Sequence, residues 1–354
     1  MLKVKVEQGN RLRFVDPRSD TGVTVTFFRT LRIPDDGKSY PLPPGMGSFP
    51  LRRVLDYKDR VPASWVKTSG VFLPMYQREA MWIRFDARGW RPNAVKVAAG
   101  KINALSGKEW HQKLAPPSRE GKEELQDYMV CPPQPWLDGF NTGKGTIRQF
   151  IAMPLGMGYT VEGQVTGKEE HGGVQLIVFE PKKGRFPEQP PPPPPRTMAG
   201  TFSAPGAAPG APPPPCAAPA PQAAGAEMGL GAGGTITQKI YPDPHGIETW
   251  DEDNHGRVFV HIVNSMMYRE ITGEAPPPTP VTAKEYTKLG YPWFELYDEG
   301  AGDIGPSEVL SEVKPVTQMD ATHGFVGVQD DGSVEVPDEQ VKGIPRDEVP
   351  DGDW

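Results

Sequence analysis

Residues Pro132–Pro181 read PPQPWLDGFNTGKGTIRQFIAMPLGMGYTVEGQVTGKEEHGGVQLIVFEP, and this stretch decides the predicted fold. It contains three β-like runs, Ile147–Met153, Tyr159–Val165 and Val174–Phe179, which are rich in apolar and β-branched residues. Turns that contain glycine separate the runs. The pattern predicts a three-stranded meander at the centre of a sheet.

Further short β-like runs flank this stretch and are separated by turn signals, whereas helical patterns are few. This arrangement predicts a mainly β fold, an antiparallel sandwich or open barrel with a few short helices. The flanking runs are Leu2–Val6, Arg11–Val15, Gly22–Phe28, Gly70–Tyr76, Ala80–Phe85, Ala94–Ala98, Lys101–Leu105, Asp127–Cys131, Thr235–Tyr241 and Arg257–Val263.

Composition divides the 354 residues into four parts. Residues 1–181 form a β-rich domain, and residues 182–234 are a Pro/Ala/Gly-rich segment expected to be a disordered linker. Residues 235–300 contain too few apolar runs for a core of their own, so we expect them to complete the β domain across the linker. Residues 301–354 are acidic and expected to be weakly ordered. The hexaproline at 190–195 is either a semi-stiff spacer or a docking peptide.

The net charge of −7 hides an asymmetry, because residues 1–181 are net positive and residues 235–354 strongly negative. The acidic tail is therefore either a solubilising segment or an arm that contacts the basic N-terminal domain. Clustered basic residues with interleaved aromatics are missing, which makes nucleic acid an unlikely partner. An unknown protein or a small polar ligand is the expected partner.

Two cysteines, Cys131 and Cys216, argue against a disulfide-stapled secreted domain. The first residues alternate apolar and charged side chains, so we expect no signal peptide. No apolar run is long enough for a transmembrane helix. A soluble, cytoplasmic protein is expected.

Long motifs along the chain, PMYQREAMWIRF, CPPQPWLDGFNTGKGTIRQFIAMPLGMGYTVEGQVTG and ITGEAPPPTPVTAKEYTKLGYPWFELYDE, carry a family resemblance. The chain resembles a family of uncharacterised proteins from bacteria, notably actinobacteria, and some fungi. The resemblance spans roughly residues 30–300 and breaks across the linker. It implies no activity and assigns no catalytic residue.

Two motifs resemble ligand loops. Residues Gly139–Gly145 differ from a phosphate-binding loop in glycine spacing and lack the Ser or Thr that coordinates magnesium, which favours a hairpin turn. Asp251 and Asp253 begin a calcium-like loop, but Ile262 takes the place of the final glutamate. A solvated acidic turn is the default, with Ca²⁺ as the alternative, and no other cofactor is predicted.

Polar residues in and beside the predicted meander form the candidate ligand-binding site. Glu162 and Gln164 share one face of the predicted second strand, and Arg148 and Gln175 lie on the neighbouring runs. A loop beside the meander adds two more candidates, Trp136 and Asp138. An arginine–carboxylate pair flanked by amides could orient a polar ligand or act as a general acid and base. An exposed, solubilising sheet face would carry the same residue types.

These patterns favour a non-catalytic binding or structural module of unknown ligand. The alternative is a hydrolase-like enzyme that acts on a carbohydrate or other polar substrate through Glu162, Arg148 or Asp138. Whether the protein is an enzyme stays open at this point.

Overall fold

A computed structural model describes residues 1–115, 118–119, 122–123, 125–190, 227–279, 282–296, 302–325 and 333–344. Residues 191–226, which include the hexaproline from its second residue onward and Cys216, lie outside the described residues. The predictions for a disordered linker and for a docking peptide therefore fall largely outside them.

Strands dominate the described chain, so the mainly β prediction is confirmed. Seventeen strands form one sheet, and two further pairs stand apart from it. In chain order the strands are β1 Lys3–Glu7, β2 Arg11–Val15, β3 Gly22–Thr30, β4 Ser39–Tyr40, β5 Gly45–Ser48, β6 Arg52–Arg53, β7 Val71–Met75, β8 Ala80–Arg88, β9 Asn93–Ala99, β10 Ile102–Asn103, β11 Ser118–Arg119, β12 Lys122–Glu123, β13 Met129–Cys131, β14 Trp136–Leu137, β15 Gly139–Gly143, β16 Thr146–Pro154, β17 Val174–Pro181, β18 Glu227–Thr237, β19 Trp250–Asn264, β20 Trp293–Leu296 and β21 Val341–Ile344.

The α-helices of the described residues are short: α1 Ala63–Thr68, α2 Val161–Thr166, α3 Ser265–Thr272, α4 Ala283–Lys288, α5 Glu308–Ser311 and α6 Val316–Thr322. At the start of α4, Thr282 and Glu285 form a capping box. Within the described ranges, no helix has the length and apolar character needed to cross a membrane.

Antiparallel pairings connect the main strands in one continuous path. The path runs β1–β2–β3–β8–β16–β18–β19–β17–β9. The segment with β13 and β14 connects the end of this path back to β8, because β13 pairs with β9 and β14 pairs with β8. Apolar residues from distant points of the path, such as Phe27, Val97 and Val260, belong to one buried cluster. The sheet therefore encloses its own core.

The predicted meander is wrong, because residues Tyr159–Val165 do not form its middle strand. The side chain of Thr160 accepts a hydrogen bond from the Gly163 backbone N–H and caps α2, and Gly167 ends the helix in the left-handed conformation. Strand β18 pairs along β16 instead, and β19 pairs along β17. Strands that follow residues 191–226 in the chain therefore pair with β16 and β17 in the same sheet.

Strand β18 also corrects the C-terminal boundary predicted for the linker. Its first eight residues were assigned to the linker because they are rich in glycine and alanine. The glycines permit close packing: a Cβ on Gly231 would lie 2.8 Å from the carbonyl oxygen of Tyr159. Glycine at this position therefore allows the backbone of β18 to lie close to the backbone that precedes α2.

Residues 302–325 differ from the weakly ordered tail expected from their charge. Helices α5 and α6 bury Leu310 and Val316 completely against the β domain. Asp320 accepts hydrogen bonds from both terminal nitrogens of Arg78, at 2.8 and 2.5 Å. The tail thus contacts the N-terminal domain through a bidentate ion pair, in addition to apolar packing.

Candidate functional site

The structure places Glu162 in a helix rather than on a sheet face, so the predicted strand face with Gln164 is wrong. The Glu162 carboxylate is buried and accepts three backbone N–H bonds at 2.9 Å, from Glu170, His171 and Gly172. These bonds tie α2 to the turn before β17. Both carboxylate oxygens are occupied by the fold itself.

Gln164 joins the same helix to the C-terminal part of the chain. Its amide nitrogen donates to the Lys314 carbonyl at 3.0 Å, and its amide oxygen accepts from the Lys314 N–H at 2.8 Å. This paired contact fixes the segment between α5 and α6. Its observed contacts are structural.

Asp138 lies fully inside the protein beside Gln238. The Gln238 side chain donates to one Asp138 oxygen at 2.7 Å and accepts from the Asp138 backbone N–H at 3.0 Å. Burial raises the pKa of Asp138 to about 7, and the Gln238 hydrogen bond opposes that rise. The pKa of Asp138 therefore lies near neutral pH, but the carboxyl group is enclosed by the protein.

Trp136 and Arg148 lie in β14 and β16, and both are partly exposed. Trp136 meets Trp82 edge to face, with 6.4 Å between ring centroids. Burial lowers the pKa of Arg148, and the negative charge of Asp35 opposes the change. The carboxylate that acts on Arg148 is therefore Asp35, not Glu162.

Gln175 in β17 does border a cavity. Its amide oxygen accepts from the Lys101 backbone N–H at 2.6 Å, and its amide nitrogen donates to the Gly172 carbonyl at 2.9 Å. Gly172 also donates to Glu162. The structure thus brings Glu162 and Gln175 together through Gly172, while the contacts of Trp136, Asp138 and Arg148 lie elsewhere in the sheet.

The predicted acidic turn at Asp251 and Asp253 is wrong, because both residues belong to β19. The Asp253 backbone N–H donates to an Asp251 carboxylate oxygen at 3.0 Å, at a shift in register between β19 and β17. No group of three or more His, Cys, Asp or Glu side chains that could hold a metal ion occurs in the described part of the chain.

Gln175 leads to the groove that we take as the candidate site, an open cavity of about 990 Å³. Its walls come from β1 and β2, the β6–β7 region, the β9–β10 turn and the loop between β10 and β11, and β17 and β19 contribute its remaining lining. Five cationic residues line it against one carboxylate, Asp56: they are Lys5, Arg52, Arg53, Lys101 and Arg257. Such a volume suits a ligand of drug-like size.

Two of these cations are neutralised within the protein, and three are not. Arg53 pairs with Asp56 at 2.7 Å, and Arg52 donates to Glu274. Among the described residues, Lys5, Lys101 and Arg257 form no ion pair, although Arg257 donates to the Gln112 side chain at 2.6 Å. The groove therefore carries excess positive charge that an anion could neutralise.

Lys101 occupies a backbone conformation that lysine rarely adopts. Gly100 and Lys101, with φ of 55° and 58°, form the two-residue turn between β9 and β10. The Lys101 N–H donates to Gln175, and its carbonyl accepts from the Trp110 N–H at 2.8 Å. The two-residue hairpin turn requires this conformation, and these contacts hold Lys101 in it.

A buried cluster supports the wall that Trp110 contributes. The Lys96 ammonium donates to Asp127 and to the Lys113 carbonyl, both at 2.6 Å, and lies 5.3 Å from the centre of the Trp110 ring. Burial lowers the pKa of Lys96, and the Asp127 charge opposes that shift. His111 lies beside this pair, 3.3 Å from the Lys96 nitrogen. The cluster holds the loop that carries Trp110 and Gln112.

His261 stabilises the opposite wall as a buried, hydrogen-bonded histidine. Its ring stacks between Trp65 and Phe259, with centroid distances of 4.5 and 4.3 Å, and Nε2 lies 3.1 Å from the Ser69 carbonyl. Burial lowers its pKa to about 4, so the imidazole is neutral at pH 7. Phe259 itself borders the groove.

The sequence alone does not indicate the groove, because its residues come from many separate segments and form no motif. One local signal was available: the dipeptide Gly100-Lys101 between two apolar runs is a hairpin turn in which lysine takes an unfavourable position.

Comparison with family models, curated proteins and solved structures finds no match. The family resemblance noted in the sequence therefore stays a prediction.

Proposed function

We propose that the protein is a soluble, cytoplasmic, non-catalytic binding module that holds an anionic ligand in the basic groove. The observation that carries this proposal is the excess of cations around the groove, five against one carboxylate. Because Lys5, Lys101 and Arg257 lack an ionic partner among the described residues, a bound anion would gain Coulomb attraction without breaking an ion pair of the protein.

The surroundings of the groove favour binding over catalysis. The groove carries one carboxylate, Asp56, and that group is already paired with Arg53. The carboxylates of the hydrolase hypothesis have other environments: Glu162 accepts three backbone N–H bonds, and Asp138 is enclosed beside Gln238. A general acid or base must reach the proton that it transfers. These environments favour the binding module over the hydrolase alternative.

Calorimetric titration with inositol hexakisphosphate, compared with uncharged inositol, tests the proposal. We expect the phosphorylated compound alone to bind, and its affinity to fall roughly tenfold between low and moderate salt, because exposed charges are screened within about 10 Å. The double variant Lys101→Glu, Arg257→Glu should weaken binding by a further factor of at least about ten, since two attractions become repulsions.

The matched control is Lys144→Glu, Lys182→Glu, which makes the same change of net charge at exposed sites outside the groove lining. Equal losses in the two double variants would show that net charge alone governs binding. That result, or equal binding of uncharged inositol, contradicts the proposal.

A further inference from the structure

The groove runs along the unpaired backbone edge of strand β1. In the described residues, β1 pairs with β2 on one side and has no ladder on the other. Val4, Lys5 and Val6 of β1 all line the groove. In an antiparallel pair, alternate residues direct their N–H and C=O groups away from the partner strand, so the outward-directed groups of this segment form a template for another strand.

A second edge faces the same groove. Strand β19 pairs with β17 through Arg257, Val258 and Phe259, but its ladder with β7 on the opposite side begins only at Val260. The three residues Arg257–Phe259 line the groove and lack a strand partner on that side within the described chain. The cavity is therefore bounded by two strand edges that do not pair with each other. They approach closely only at one end, where a Cβ on Gly256 would lie 3.0 Å from the Cβ of Leu2.

We propose that the groove accepts an extended acidic peptide from a partner protein, which adds as a strand to the edge of β1. The inference rests on the proposed function and specifies its ligand. Main-chain hydrogen bonds would provide a large part of the affinity in this mode of recognition, and side chains on alternate positions would provide specificity.

The groove has two chemically different sides for such a strand. Val6 and Val258 are partly exposed and offer apolar contact, whereas Lys5, Lys101 and Arg257 offer positive charge. Side chains alternate between the two faces of a strand, so the matching sequence alternates apolar and acidic residues. Five residues opposite β1 would span about 17 Å.

The lysines of β1 also define which strand can pair. Lys3 and Lys5 are exposed on this edge, so a second copy of β1 would place like charges opposite each other. An acidic strand reverses that repulsion. Acidic polysaccharides and nucleic acids are negatively charged but lack the regular N–H and C=O ladder that pairs with a strand edge.

The test uses the full chain and a capped seven-residue peptide of alternating glutamate and valine. Two derivatives carry backbone N-methyl groups on the valines or on the internal glutamates, which removes N–H donors from one edge of the peptide at a time. A third peptide has lysine in place of glutamate. Affinities are measured by calorimetry, and amide hydrogen exchange of Val4–Val6 is followed with and without the parent peptide.

We expect the parent peptide to bind and to slow exchange in β1, at least one N-methylated series to bind tenfold or more weakly, and the lysine peptide not to bind. Lys101→Gly should keep the left-handed turn but lower the affinity for the parent peptide severalfold. Lys144→Gly should leave that affinity unchanged. If both N-methylated peptides bind like the parent, recognition is by charge alone and strand addition is wrong.

Inositol hexakisphosphate separates the two levels of the proposal. If it binds but the acidic peptide does not, the peptide inference is wrong and the anion-binding function stands. If neither binds, both are wrong.

Discussion

Lys96 and Lys101 belong to the same β9–β10 hairpin and have opposite surroundings. Lys96 is completely buried, and its ammonium donates to Asp127 and a backbone carbonyl. Lys101 stands in the turn at the groove with no ion pair among the described residues. The first lysine is committed to the fold, whereas the second is held by the fold in a position where a ligand could use it.

The same contrast separates the carboxylates. Glu162 and Asp320 accept hydrogen bonds from three backbone N–H groups and from Arg78, respectively, so their charges are satisfied within the protein. Asp138 is buried with less compensation, which explains its raised pKa. Partners, rather than residue type or burial alone, distinguish structural from available charge.

The largest expected effect comes from breaking the buried pair. Asp127→Asn leaves the Lys96 charge buried beside a neutral amide, and removing one partner of such a pair costs about 3–5 kcal/mol of the free energy of unfolding. Urea denaturation measures the change. Adding Lys96→Met to the variant should recover part of the loss, because no uncompensated charge remains.

The control is Lys101→Met, which should cost less than about 0.5 kcal/mol because that side chain is not committed to the core. If Asp127→Asn is no more destabilising than this control, the buried pair does not support the loop that carries Trp110.

Asp138 should produce the next largest effect, which is a pH dependence of the free energy of unfolding. Its pKa of about 7 in the folded protein lies above the value of about 3.9 for an exposed aspartate. The folded state binds the Asp138 proton more tightly than the unfolded state does. The stabilisation that this proton provides is therefore complete below about pH 4 and is lost as pH rises through about 7. A three-unit difference corresponds to at most about 4 kcal/mol.

Asp138→Asn keeps an acceptor for Gln238 but cannot ionise. Relative to the unmodified protein, the variant should therefore gain stability between pH 5 and 8 in urea denaturation. Asp253→Asn, at an exposed position of β19, provides the control and should leave the pH profile unchanged. Parallel profiles for Asp138→Asn and the unmodified protein would contradict the raised pKa.

The strands were predictable because their signals are local. Alternation and β-branched residues in Gly22–Thr30, for example, coincide with a central strand of the core. Helix α2 was missed because Val161 and Val165 fit both an alternating strand and a helix with apolar residues four positions apart. The capping contact of Thr160 and the left-handed Gly167 decided between them.

The site was less predictable, because its geometry depends on long-range pairing. Lys5, Lys101 and Arg257 meet at one groove only because β19, from beyond the linker, pairs with β17. Nothing in the local sequence gives that register. Of the predicted site residues, Gln175 alone lines the groove, and its observed role is to hold the Lys101 turn.

Glu162→Gln tests whether the Glu162 carboxylate stabilises the fold, and its expected effect is smaller. An amide has one acceptor oxygen, so its nitrogen would face one of the three backbone N–H donors and leave it unsatisfied. The expected cost is about 1–3 kcal/mol, seen as a lower melting temperature. Binding of inositol hexakisphosphate to the folded variant should be unchanged. Loss of binding without loss of stability would instead make Glu162 part of the ligand site.

Lys101→Gly gives the smallest expected effect and tests whether the groove lysine contributes to ligand binding. Glycine adopts the left-handed conformation freely, so the turn should persist and the free energy of unfolding should be unchanged or slightly higher. The affinity for inositol hexakisphosphate should nevertheless fall about fivefold, or about 1 kcal/mol, because one groove cation is lost. Lys101→Arg keeps the charge and should retain most of the affinity. If glycine stabilises the protein and leaves binding intact, the strained lysine serves neither the fold nor the ligand, and the groove must bind through other residues.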